Sequence, residues 1–156
     1  MPGIDECLLD AMRLPGARGA GVVDWISGLA LGTIGDSPNG DHEATAAEAA
    51  ELARMAAEHR AFAATTQTAP TGQAAQAARA GQAGRTAQPP AHAGQVDQPL
   101  PVEDVIVTNR DSYHLIRFVR TTFDSSVFLH LWLDRAEGNL ALARIRVGEI
   151  AERLVL

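Results

Sequence analysis

The sequence predicts an α+β fold, a five-stranded antiparallel sheet with a long central helix and flanking helices in the order α-ββ-α-βββ-α. Three observations carry this. Strand signals come in two runs joined by short turns; helical periodicities separate and bracket those runs; and cap or turn residues stand at the junctions.

Ile4 to Leu14 sets Ile4, Leu8, Ala11 and Met12 at helical spacing, and Pro15-Gly16 stops it. Ala20 to Trp25 reads as a strand, Ser27-Gly28 as a turn, and Leu29 to Ile34 as the returning strand of a hairpin. Asp41 is placed to cap a helix from Asp41 to Ala63, with Glu43 in its first turn. At 100° per residue, Leu52, Met55, His59 and Phe62 share one stripe beside a broad alanine arc, and Glu51, Arg54 and Glu58 form a narrow charged stripe. Such a helix has two faces to bury: the large residues are expected on its own sheet, and the alanines against another helix.

After position 101 come three more strand signals. Val105-Ile106-Val107-Thr108 is β-branched, and Asn109 to Ser112 reads as a turn. Tyr113 to Arg120 alternates His114, Ile116 and Phe118 against Tyr113, Leu115, Arg117 and Val119. A loop, Thr121 to Ser125, leads to Val127 to Leu133, which is apolar on both faces except at His130 and so suits a central strand. Asn139 is placed to cap a last helix with Leu140, Ala143, Val147, Ile150, Ala151 and Leu154 on one face.

Between the two blocks the composition changes. Of the 38 residues from 64 to 101, 32 are Ala, Gln, Pro, Thr or Gly, and none is aromatic. That stretch buries too little to offset its ordering entropy, so a disordered insertion is expected there. Residues 1–63 and 102–156 are each small for an independent core and are expected to form one domain together.

Composition excludes several functions. All 13 basic residues are Arg, and a chain without Lys has no Walker A loop, Schiff-base lysine or Ser–Lys dyad. Arg and Ala without Lys also suggest a high-GC bacterial genome. A net charge of −6 argues against nucleic-acid binding. The single Cys7 excludes an intrachain disulfide or a cysteine zinc site, and it reads as a small buried helix residue. No histidines have metal-ligand spacing; glycines 16, 19 and 21 do not make a dinucleotide fingerprint; and no acid, base or nucleophile constellation stands out. No enzyme activity, cofactor or metal is therefore expected. No apolar run approaches the ~18 residues of a membrane span, and the acidic start lacks the marks of a signal peptide, so a cytoplasmic location is expected.

Residues with a chemical reading are few. His114 and His130 can share a sheet face, where a satisfied pair is a plainer reading than a ligand pair. Asp24 reads as a turn stabiliser, Asp134-Arg135 as a loop ion pair, and Arg110, Arg117 and Arg120 as a basic patch or a solvated strand edge.

The element order, with the phrases Leu14-Pro15-Gly16-Ala17-Arg18-Gly19, Val22 to Leu31, Val105 to Asn109, Tyr113 to Val119 and Asn139 to Arg144, resembles the Roadblock/LC7 family. The resemblance covers nearly all of both blocks and none of 64–101. It implies a homodimer or heterodimer in which central helices pack together and third strands pair into one sheet. It also implies a small Ras-like GTPase as partner, whose hydrolysis some members stimulate by positioning it. On that basis Ala49, Ala53, Ala56 and Arg60, with Val105 and Val107, are expected at the dimer seam. Glu51, Arg54 and Glu58 are the exposed candidates for the partner. Two other readings stand beside this non-catalytic regulator: a nucleotide-insensitive scaffold, and a small-ligand sensor built around His114, His130 and Trp132.

Overall fold

The computed structural model describes residues 2–64, 100–120 and 126–156. Contacts divide the chain into a unit of Met1–Ala63 with Leu100–Leu156 and a second unit, Ala64–Pro99. The insertion expected over 64–101 falls almost wholly outside the described residues, as does the 121–125 loop.

The first unit contains α1 (Ile4–Met12), β1 (Ala17–Asp24), β2 (Leu29–Gly35), α2 (His42–Glu58), a 3-10 turn (Arg60–Phe62), β3 (Asp104–Thr108), β4 (Ser112–Phe118), β5 (Val127–Asp134) and α3 (Leu140–Arg153). All strand pairings are antiparallel, in the order β2-β1-β5-β4-β3. The α+β fold and element order are those the sequence predicts, and the apolar β5 lies at the centre of the sheet.

Local chemistry sets most boundaries. Asp41 accepts from the amides of Glu43 and Ala44, and Asn139 from that of Leu142, so both caps act as expected. The α1 helix ends at Met12, two residues before the expected Leu14, because a residue preceding proline is pushed out of the helical region. The α2 helix stops at Glu58 rather than Ala63. His59 is extended (ψ 133°), the last turn carries no base, and residues 59–63 are all exposed. Without burial or a favourable end charge, nothing holds the last turn.

Two apolar layers cover the sheet. On one face, Cys7, Leu8 and Ala11 of α1 and Ala143, Val147, Ile150 and Ala151 of α3 pack on Val22, Leu115, Leu129, Leu131 and Leu133. The close approach of α1 to β2 depends on Gly32. A Cβ there would lie 2.6 Å from Ile4 Cγ2 and 3.2 Å from Leu8 Cδ1. Gly32→Ala should therefore cost about 1–3 kcal/mol through overpacking. Urea unfolding of the pure variant checks this, and an unchanged midpoint would refute it.

On the other face, Ala46, Ala50 and Ala53 of α2 pack on Val23, Ile116, Phe118 and Phe128. Of the large residues expected on the sheet, Leu52 is half-buried against this cluster, but for the rest the expected orientation of α2 is reversed. Its alanines face its own sheet, while Met55 and Phe62 are 57% and 58% exposed and His59 is exposed. The cause is volume matching. The sheet already supplies two phenylalanines here, and a helix presenting large side chains as well would be held too far away.

Candidate functional site

Two open surfaces and one buried polar cluster are candidates for function. The first surface is the outer edge of β3. Among the described residues no strand pairs with it, and Val105 and Val107 are half-buried. Asp104 anchors the start of this edge. Its carboxylate accepts from Arg144 of α3 at 2.8 Å and from Arg117 of β4 at 3.4 Å. These bonds absorb Arg117, so the basic patch expected from Arg110, Arg117 and Arg120 does not form as a free cationic surface. Arg120 donates weakly to the Leu100 carbonyl at 3.5 Å, and Arg110 is exposed.

The second surface is the outward side of α2. Of the residues expected at a seam, Ala53 is fully buried and Ala56 is 9% exposed, both against their own protomer. Ala49 is half-buried and Arg60 is exposed on the 3-10 turn. On a 100° wheel, Leu52 stands next to Ala49 and Ala56 on one flank, and Met55 points away from the sheet. Glu51 and Glu58 are exposed. Arg54 is half-buried and donates to the Trp25 carbonyl at 3.0 Å, so it also fastens α2 to the β1–β2 hairpin.

The buried cluster lies on the same face of the sheet as α2. Register puts His130 opposite Ile116 and His114 opposite Trp132, so the two histidines are diagonal neighbours. His114 Nδ1 and His130 Nε2 are 3.0 Å apart, with the rings nearly parallel at 5°. One nitrogen donates and the other accepts, so a single proton lies between them and the bond cannot survive with both rings charged. His130 is 7% exposed, and burial, reinforced by the positive fields of His114 and His42, pushes its pKa down to about 4. Burial also lowers that of His114, against the pull of Asp111.

Trp132 is flanked by His114, with ring centroids 6.4 Å apart, and by Arg18, whose guanidinium lies 5.0 Å from the Trp132 ring centroid. Arg18 gets there because β1 carries an extra residue between Ala17 and Gly19, and a bulge re-aims the side chain. It then pairs with Asp134 at 2.6 Å. Asp134 also accepts from the amides of Glu137 and Ala136, and these bonds together with Arg18 hold its carboxyl below the usual range. The loop ion pair expected between Asp134 and Arg135 is replaced by these contacts. Arg135 instead donates to the Asn109 carbonyl at 2.9 Å.

The remaining candidates are structural. Asp24 accepts from the amide of Ile26, as expected of a turn residue. Cys7 is 1% exposed, and burial raises its pKa. The three residues named for a ligand sensor do come together, but the cavity beside His130 and Trp132 is only about 20 Å³, room for one water. Among the described residues there is no cluster of three potential metal ligands, and no helix is long and apolar enough to cross a membrane.

Sequence reasoning found the histidine pair but missed Arg18, Asp104 and the role of Arg54. Each of these acts through a long-range partner that local spacing does not reveal.

No family model and no curated protein matches the sequence. Solved structures do match. MglB from Myxococcus xanthus aligns over 96% of this chain and 79% of that one, with TM-score 0.56 and 15% identity. A structure described as MglB with tetrameric arrangement aligns over 96% and 82%, with TM-score 0.59 and 15% identity. The gliding protein MglB from Thermus thermophilus aligns over 96% and 83%, with TM-score 0.59 and 14% identity. At this identity the likeness is one of fold, and that fold is the one implied by the Roadblock/LC7 resemblance.

Proposed function

We infer, starting from the fold shared with MglB, that this chain is a non-catalytic dimeric module that binds a small Ras-like GTPase and regulates or scaffolds it. The observation that carries the reading is the fold match across 96% of the chain. Two features of the surface support it. The β3 edge is free of a strand partner among the described residues, and an unpaired edge is a template for another chain. The α2 helix also leaves Met55 and the neighbouring Phe62 in solvent.

In this reading the dimer seam consists of Val105 and Val107 on paired β3 edges, with Ala49, Leu52, Met55 and Phe62 from the α2 region and Arg60 at its rim. The buried Ala53 and Ala56 support the seam from beneath. Glu51 and Glu58 remain the exposed contacts for the GTPase, and Arg54 holds the helix that presents them. Stimulation of hydrolysis, where it occurs, works by ordering the GTPase's own switch loops.

The test is affinity capture from the host lysate with GDP or a non-hydrolysable GTP analogue, bound proteins being identified by mass spectrometry. A small GTPase enriched in one nucleotide state, and lost on Glu51→Arg with Glu58→Arg, supports the regulator. Equal capture in both states makes the protein a scaffold. Failure to capture any GTPase with well-folded protein refutes the reading.

A further inference from the structure

A groove of about 370 Å³ runs between the end of α1 and α3, on the face of the sheet opposite α2. Its lining follows α3 from Leu142 to Arg153, about 16 Å at the helical rise per residue. Leu14, Pro15, Leu142 and Ile150 give it an apolar surface. Leu142 is 36% exposed, and Ile145, one turn further along α3, is 62% exposed.

Three arginines stand around this surface. The side chains of Arg13, Arg146 and Arg153 are 82%, 58% and 54% exposed. Two carboxylates line the groove with them, and both are already engaged. Glu149 accepts from Arg146 at 3.0 Å, while Asp10 is shared between Arg13 at 3.3 Å and Arg153 at 3.5 Å. A guanidinium carries five N–H donors, so most donors here have no protein acceptor. The groove therefore holds one more cation than anion, in a chain whose net charge is −6.

We propose that this groove docks a segment of a partner protein in which acidic residues alternate with apolar ones, laid along α3 as a helix is laid in a groove. The surplus guanidinium selects a carboxylate, which the arginine fork can receive through two parallel bonds. The open, elongated shape selects a polypeptide, because a small molecule is held by a pocket that encloses most of its surface. The net charge of the chain repels an identical copy, and it also repels a polyphosphate or an anionic bilayer, whose fields reach beyond one groove. The groove lies on the face away from α2, so the proposal rests on neither the dimer seam nor the GTPase.

Selection of random peptides of about twelve residues, enough to span the groove as a helix, on the folded protein tests this. Selected sequences should place Asp or Glu within one turn of Leu, Ile or Phe. The leading peptide, made synthetically and followed by fluorescence anisotropy, should bind more weakly as salt rises. It should lose about tenfold or more in affinity for the double variant Arg13→Gln, Arg146→Gln. Both side chains are exposed, so the urea midpoint of that variant should match the wild type and separate lost binding from lost fold. Amide exchange across α3 should slow when the peptide is bound. No enriched sequence, enriched sequences without acidic residues, or an acidic peptide that binds the double variant equally well would overturn the proposal. Octanoate binding as tightly as the peptide would make the groove a small-molecule site and overturn the choice of a protein partner.

Discussion

Lowering the pH from 6.5 to about 4 is expected to remove about 3 kcal/mol of folding stability through His130 alone. In the unfolded chain this imidazole takes up its proton near 6.5. In the folded chain burial, with His114 and His42 nearby, holds that uptake to about 4. The unfolded state therefore binds more protons across that window. The stabilisation is complete above the upper limit and drains away as pH falls through it. His114, also lowered by burial, adds a loss of the same sign. Asp134, whose carboxyl is held below its ordinary 3.8, adds its loss only below that value, so the two effects separate on the pH axis.

The local geometry amplifies the consequence. The 3.0 Å bond between His114 and His130 holds one proton between the facing nitrogens, and charging both rings turns it into repulsion. The cavity beside His130 is lined by His42, Thr45 and Ala46, so the charge appears beneath the first half of α2. Urea midpoints measured from neutral pH to pH 4 should fall steeply for the wild type and much less for His130→Gln. The readout is the slope, so a variant that starts from lower stability still reports. Equal slopes in both proteins would show that His130 does not control acid unfolding.

How far the sequence led depends on which interactions are local. The Asp41 and Asn139 caps, the Ser27-Gly28 turn and the period-2 alternation of β4 all act within a few residues, and the elements they predict are present. The alternation even put His114 and His130 on one face. The missed features are relations between elements. Arg18 reaches Trp132 and Asp134 through a bulge that exists only once β1 pairs with β5. Asp104 joins three elements that are far apart in the chain. For the orientation of α2, the clue lay outside the helix. Ile116, Phe118 and Phe128 alternate onto one sheet face, which leaves room for alanines above them rather than for more large side chains.

That orientation gives two neighbouring substitutions on α2 opposite outcomes. Ala53→Glu places a carboxylate where the side chain is fully buried among Val23, Ile116, Phe118 and Phe128, with no partner to satisfy it. The cost of an unpaired buried charge, on top of overpacking, is about 3–5 kcal/mol. A single domain rarely has more than about 5–15 kcal/mol to lose, so the variant should unfold at markedly lower urea or fail to accumulate. Met55→Glu, two residues on, places the same carboxylate in solvent, where Met55 is already 57% exposed. Its unfolding transition at high dilution should stay within about 0.5 kcal/mol of wild type. In the proposed dimer, however, each α2 would bring this new charge toward the other, and like charges in a desolvated seam should raise the dissociation constant by tenfold or more. Circular dichroism melts paired with sedimentation separate the two effects. Had the alanines faced outward, Ala53→Glu would be the mild change and Met55→Glu the destructive one. A Met55→Glu protein that keeps both its stability and its two-chain mass would move the seam off this helix.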